Sequence, residues 1–162
     1  MAEFLGAVET TVPPDDCQIF VVSGDPDPAD VPVLDGLDGR FAGFARDVLV
    51  LVSGSDLLHE AAVRLESWSA EPPVPDGEWD EAQQGRLYLS EKEIAVQALW
   101  ETDLSDRLSL TSTGWHQVRV CVGGRQALRS WADRWDGEGE DPVGLERFAV
   151  QVWPVDRAVD PS

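Results

Sequence analysis

Alternation of apolar and polar residues with a period of two is the feature that most constrains the fold of this chain. In AAVRLESW at 61–68, Val63 and Leu65 alternate with Arg64 and Glu66. This alternation is typical of a strand with one face in a core and one face in water. The same pattern recurs at 85–90, 94–100, 115–122 and 146–153, with a shorter run at 107–112.

Two further runs, CQIFVVS at 17–23 and DVLVLVS at 47–53, are apolar without alternation. Such runs are typical of strands buried on both faces. Gly, Pro, Asp and Ser clusters separate the eight runs. The pattern predicts a mainly β fold, a single-domain antiparallel β-sandwich of about eight strands.

Helical signals are few. In ALRSWADRW at 127–135, Leu128, Trp131 and Trp135 have helical spacing, which predicts a short helix or crossover. SDLLHEAA at 55–62 has a serine that could cap a helix, and predicts one helical turn.

The length of 162 residues is enough for one domain, which we place at 1–162 with an ordered core at about 17–155 and frayed ends. A chain of this length buries about 70% of its unfolded surface, so it needs no disulfide. Cys17 and Cys121 fall in predicted strands and are expected to be buried free thiols in a reducing cytoplasm. No signal peptide or membrane-length apolar run is visible, so we expect a cytoplasmic location.

The net charge of −19 is unusual for a chain of this length. Residues 1–106 carry −18 of it and residues 107–162 carry −1. This charge disfavours nucleic acid and anionic membranes as ligands. It favours a basic protein partner, cations, or solubility alone.

Two acidic, proline-containing loops, 25–39 and 70–81, carry the candidate partner-binding residues. Exposed tryptophan among carboxylates is the composition of a protein-binding surface, because aromatic residues anchor interfaces. Trp68 and Trp79 flank the second loop and are expected to be partly exposed. The candidates are Asp25, Asp27, Asp30, Asp35, Asp38, Trp68, Glu71, Asp76, Glu78, Trp79, Asp80 and Glu81.

The other aromatic and polar positions have structural interpretations. Trp100 and Trp115 are expected in the core or at a barrel end. Arg119 and Gln151 fall on the polar faces of late strands and could form a second surface or a dimer contact.

Catalytic and metal-binding motifs do not support an enzyme. His59 and His116 are the only histidines, and neither adjoins a serine or cysteine in a nucleophile motif. DGEGED at 136–141 has acids in calcium-loop spacing but lacks the glycine and the final glutamate that such a loop needs. We therefore expect no catalytic residue, no metal site and no cofactor.

Three segments of the chain are EWDEAQQGRLYLS, STGWHQVRVCVGGRQAL and DPVGLERFAVQVWP. They resemble a family of small β-rich proteins known mostly from actinobacterial genomes. The resemblance spans about residues 17–155, and it implies a fold rather than an activity. It falls on Trp79, Asp80, Glu81, Val118, Arg119, Val120, Gly124, Arg125, Glu146, Gln151, Trp153 and Pro154.

The chain has, in order, an early β run, an acidic loop, paired middle strands and a closing strand. This order of elements is similar, more distantly, to that of the competence protein J family, whose members are small acidic inhibitors of a DNA-entry nuclease. This resemblance implies a β-sandwich with a binding role. No inhibitory residue is carried over, because the matching positions are strand positions.

Two main hypotheses follow. The first is a non-catalytic acidic protein that binds a basic protein, such as a nuclease or toxin, as an inhibitor or immunity-like partner. The second is an acidic domain with a structural role only, whose charge serves solubility or a halophilic host. A carboxylate-based or cation-dependent enzyme is a weaker third.

Overall fold

The computed structural model of the chain describes residues 2–14, 17–26, 39–55, 57–98, 105–137 and 139–155. Within these ranges it contains ten strands and one helix. The strands are β1 Phe4–Val12, β2 Gln18–Val22, β3 Ala42–Ala45, β4 Val48–Val52, β5 Glu60–Trp68, β6 Glu81–Leu89, β7 Glu93–Ala98, β8 Leu108–Ser109, β9 Gly114–Gly123 and β10 Val143–Pro154. The helix, α1, spans Arg125–Arg134 between β9 and β10.

The strands form two five-stranded sheets, which confirms the predicted β-sandwich but with ten strands in the described ranges instead of about eight. The first sheet has the order β1-β5-β10-β9-β6, and the second has the order β3-β4-β2-β7-β8. The pairs are antiparallel except β5 and β10, which are parallel. The parallel pair arises because β10 returns after α1 and inserts between β5 and β9. The fold is a mainly β, antiparallel-rich β-sandwich.

The core lies between the inward faces of the two sheets. Leu65, Val120 and Val150 of the first sheet pack in one buried cluster with Ile19 and Leu49 of the second. Burying one such side chain contributes about 1.5–3 kcal/mol. The register aligns Val150 with both Leu65 and Val120, so all three share the inward face.

The outer face of the second sheet carries a separate buried cluster of Phe20, Val22, Val48 and Val50. β2 and β4 therefore bury side chains on both faces. This confirms the interpretation of the two continuous apolar runs.

The structure corrects several boundaries. β1 lies before residue 17, where the ordered core was predicted to begin. The sequence pattern did not predict this strand because Gly6 and Thr10 interrupt the apolar residues on its inward face. The helical turn predicted at 55–62 was wrong, since the described residues there include no helix and Glu60 begins β5. Cys17 is half-buried in a turn rather than in a strand, whereas Cys121 is buried as predicted. The predicted tail after residue 155 and Trp100 lie outside the described residues.

The predicted helix is present and begins two residues earlier than expected. Leu128 is its buried residue, whereas Trp135 follows its last turn in an extended conformation and is exposed. Gly124, just before the helix, has a φ of 79°, and a Cβ there would lie 1.7 Å from the carbonyl oxygen of Leu145. Only glycine fits this close approach of two backbones.

Candidate functional site

Residues 69–80, which we call the acidic loop, connect β5 to β6 and lie against the outer face of the first sheet. Arg119 Nη1 of β9 donates to the Pro72 carbonyl at 2.9 Å. Gln151 Nε2 of β10 donates to the Pro73 carbonyl at 3.1 Å. Proline has no N–H but its carbonyl remains a strong acceptor, so donors from the sheet hold this segment in place.

The donors belong to a row of polar side chains on adjacent strands. The register places Gln151 between Glu66 of β5 and Arg119 of β9. Arg119 Nη1 donates to Gln151 Oε1 at 3.0 Å, and Gln151 Nε2 donates to Glu66 Oε1 at 3.0 Å. All three residues are buried. The acidic loop covers this row, so Arg119 and Gln151 do not form the second exposed surface that their polar character suggested.

Glu66 is ionised within this row. Burial alone would raise its pKa, but hydrogen bonds from Arg64, Trp68 and Gln151 outweigh burial and lower the pKa below the usual value. Arg64 Nε lies 2.8 Å from Glu66 Oε2, and Arg64 Nη1 lies 2.7 Å from Glu9 Oε1. The carboxylate is therefore paired and fully hydrogen-bonded.

Trp68 and Trp79 are half-buried, which confirms the predicted partial exposure. Trp68 Nε1 donates to Glu66 Oε1 at 2.8 Å, and its ring meets Phe4 edge to face at a centroid distance of 5.3 Å. Trp79 Nε1 donates to the Pro75 carbonyl at 2.9 Å, and the Arg147 guanidinium lies 5.2 Å from the ring centroid. Both rings are therefore held in fixed positions.

The two tryptophans belong to one groove of about 700 Å³ beside the acidic loop. Ala62 and Ala149 line it with small side chains, while Val74 of the loop is more than half exposed. A groove of this size with fixed aromatic walls can receive side chains of a partner.

The five predicted acids of this region are all exposed. Glu71 Oε1 lies 3.3 Å from Arg119 Nη2, and Asp80 Oδ2 accepts from the Arg125 backbone N–H at 3.0 Å. These two acids fix the loop at both ends. Within the described ranges, no cation lies within ion-pair distance of the carboxylates of Asp76, Glu78 and Glu81.

Asp25, the one described candidate of the loop at 25–39, does not lie on the surface formed by the acidic loop. Asp25 is exposed and lies two residues after Ser23. The Ser23 hydroxyl accepts from the Glu91 N–H at 3.2 Å, which places this segment beyond the C-terminal end of β6. Glu81 begins β6, and a nine-residue strand spans about 30 Å, so Asp25 lies at the opposite end. Asp27, Asp30, Asp35 and Asp38 lie outside the described residues.

A buried polar cluster of Ser53, His59, Arg125 and Glu146 was not predicted from the sequence. His59 Nε2 lies 3.0 Å from Ser53 Oγ, and Glu146 Oε2 accepts from the Gly54 N–H at 2.8 Å. Burial lowers the pKa of His59, and the charge of Glu146 opposes that shift only in part. His59 is 2% exposed and Glu146 0%, so the cluster is closed to a substrate and joins parts of the fold instead.

His116, the other histidine, is also buried, and burial lowers its pKa. Its Nδ1 lies 2.8 Å from the Gly114 carbonyl oxygen.

Trp115 was predicted in the core or at a barrel end but is 42% exposed. That prediction was wrong because Trp115 lies on the outward side of β9, paired with Tyr88 of the edge strand β6.

The described ranges contain neither a metal-binding cluster of side chains nor a membrane-spanning helix. No group of three His, Cys, Asp or Glu side chains there is arranged to hold a metal ion. No helix there is long and apolar enough to cross a membrane.

Comparison with known proteins finds likeness in structure but not in sequence. No family model and no curated protein sequence matches the chain. A solved structure described as crocagin biosynthetic gene J matches with a TM-score of 0.60 and 15% identity, covering 96% of this chain and 99% of that one. ComJ from Bacillus subtilis, described as an inhibitor of the DNA-degrading activity of NucA, matches with a TM-score of 0.56 and 13% identity over 96% and 99% of the two chains. The chain therefore shares the fold of these two proteins, and the predicted distant similarity to the competence protein J family is supported at the level of fold.

Proposed function

We propose that this chain is a non-catalytic cytoplasmic protein that binds a basic protein through the acidic loop and the start of β6, and that it acts as an inhibitor or immunity-like partner. The observation that carries this proposal is the rigid attachment of the loop. The buried row of Arg119, Gln151 and Glu66 holds residues 72 and 73, while Trp79 is fixed by its own hydrogen bond. A surface that is already ordered loses little conformational entropy when a partner binds.

The charge of this surface suits a basic partner. Asp76, Glu78 and Glu81 are exposed and have no cation at ion-pair distance among the described residues. The net charge of −19 adds long-range attraction, which speeds the encounter with a cationic protein. Trp68 and Trp79 then supply the aromatic anchors that stabilise interfaces.

The structural likeness to ComJ supports the inhibitory form of this proposal, since ComJ is described as a nuclease inhibitor. A nuclease holds phosphates with basic side chains, and clustered carboxylates can occupy the same positions. The resemblance to an actinobacterial family stays a prediction.

The test is affinity capture from host lysate followed by reconstitution with the captured protein. The loop variant carries Asp76→Asn, Glu78→Gln and Glu81→Gln, and the matched control carries Asp106→Asn, Asp133→Asn and Glu140→Gln. Both remove three exposed carboxylates, so they change the net charge equally.

We expect the purified basic partner to bind the native chain and the control similarly, and to bind the loop variant at least about tenfold more weakly. The activity of the captured partner should fall when the native chain is added to it. If the two variants weaken binding equally, the effect comes from net charge and not from the acidic loop. If no protein is retained from the lysate at low salt, the proposal is contradicted.

A further inference from the structure

A second cavity lies at the β6 edge of the sandwich, away from the acidic loop. It has a volume of about 400 Å³ and lies between the β3–β4 turn and β6. We call it the arginine–aromatic cavity, and its lining residues are Phe44, Ala45, Arg46, Arg86, Tyr88 and Trp115. Among the described residues, two arginines and three aromatic rings line it and no carboxylate does, in a chain with 31 acids and 12 Lys and Arg residues.

The turn that carries Arg46 is locked to β6. The Asp47 N–H donates to the Tyr88 carbonyl at 2.9 Å. The Asp47 carboxylate accepts from the Ser90 N–H at 2.6 Å and from the Ser90 hydroxyl at 2.7 Å. Arg46 Nε lies 4.0 Å from the same carboxylate, and the Arg46 side chain is 61% exposed.

The aromatic groups fix the direction of the Arg46 guanidinium. Its central carbon lies 4.4 Å from the Tyr88 ring centroid. The Tyr88 ring meets Trp115 edge to face at 5.5 Å, and the two residues are paired across β6 and β9. Stacking on a ring leaves the N–H donors in the plane of the guanidinium available.

Arg86 supplies the second positive charge. It lies two residues before Tyr88 on β6, so both side chains project from the same face of the strand. Arg86 is exposed, and within the described part of the chain its guanidinium has no carboxylate at ion-pair distance. A guanidinium group can bind a planar carboxylate through two parallel N–H···O bonds.

We propose that the arginine–aromatic cavity binds a carboxylate, with Arg46 and Arg86 as its hydrogen-bond donors and Tyr88 and Trp115 as contacts for an apolar or aromatic body. The site is independent of the proposed function, because it lies near the far end of β6 from Glu81. The carboxylate can come from a small free acid or from an acidic segment of a protein.

The probes are sodium benzoate for the free acid and a blocked tetraglutamate peptide for the protein segment, titrated at constant ionic strength with sodium chloride. The readout is the indole ¹H–¹⁵N resonance of Trp115, assigned from Trp115→Phe. We expect a saturable shift in the millimolar range, and the probe that saturates at lower concentration identifies the source. Benzamide, which keeps the ring and removes the charge, should give a much smaller shift.

Arg46→Gln with Arg86→Gln should weaken binding of the better probe about tenfold or more. The matched control is Arg129→Gln with Arg134→Gln on the exposed side of α1, which also removes two positive charges and should leave binding unchanged. Both arginines of the cavity are exposed, so the fold should persist, and the remaining amide spectrum checks this. The proposal is overturned if neither probe shifts Trp115 at tens of millimolar, if benzamide matches benzoate, or if the double variant binds as the native chain does.

Discussion

Gln151 donates from Nε2 to Glu66 Oε1 at 3.0 Å, across the parallel pair of strands in the first sheet. The amide oxygen of Gln151 accepts from Arg119. One neutral side chain therefore links a buried anion to a buried cation and also holds the acidic loop. The stability of the sheet and the position of the candidate binding surface depend on the same residue.

Gln151→Leu should destabilise the protein by about 2–4 kcal/mol, since it leaves both Glu66 and Arg119 with an unmade buried hydrogen bond. Urea unfolding followed by tryptophan fluorescence measures this. The control Gln126→Leu, on the exposed face of α1, should change the stability by no more than about 0.5 kcal/mol. Similar losses in the two variants would mean that the buried row contributes little.

Acid should weaken the protein through Glu66. Its pKa is lowered in the folded state, so the stabilisation is present above the unfolded value of 4.5 and is lost as the pH falls from there through the folded pKa. Glu66→Gln should therefore show a smaller loss of stability on acidification below about pH 4.5 than the native chain does. Parallel stability curves for the two proteins in that range would contradict this assignment.

His59 acts at higher pH. Burial lowers the pKa of His59 in the folded state. Below pH 6.5 the unfolded state therefore binds a proton more readily than the folded state does, and the protein loses stability as the pH decreases from 6.5. His116 shifts in the same direction for the same reason. His59→Gln should remove one histidine's share of the slope just below pH 6.5, which is at most about 1.4 kcal/mol per pH unit. An unchanged slope in urea unfolding at several pH values would assign the effect to His116 alone.

Gly124→Ala should destabilise the protein by several kcal/mol, on the order of 3 or more, because the new methyl group meets the Leu145 carbonyl in addition to the strained φ. Gly137→Ala separates the two causes, since Gly137 has a φ of 90° and nothing within 4 Å of its Cβ position. It should cost only about 1 kcal/mol. Thermal unfolding measures the stability of the two variants. Equal losses of stability would mean that the contact with the Leu145 carbonyl does not contribute.

The alternating pattern predicted the sandwich because a strand with one buried face leaves a periodic record in the sequence. It missed β1, whose edge position allows Gly6 and Thr10 on the inward side. It also gave no sign that β5 and β10 run parallel, since direction leaves no trace in period-two alternation.

The candidate site was predictable only in part. Trp68 and Trp79 were correctly expected to be half exposed, because they flank an acidic proline-containing loop. Arg119 and Gln151 carried the alternating polar pattern of solvent-facing residues, and nothing local showed that a loop 40 or more residues earlier in the chain covers them. The Ser53–His59 contact was equally hidden, since the two residues lie six positions apart and belong to no motif that predicts a contact.

The place of β10 in the first sheet has a consequence for how the protein is made. β10 lies between β5 and β9, yet it follows every other described strand along the chain. During synthesis β5 and β9 emerge with their inner edges unpaired, and pairing of β10 with β5 must close a gap of 85 residues in sequence. Assembly of the first sheet therefore waits for β10, and until then the unpaired backbone N–H and C=O groups of two strand edges are open to other nascent chains.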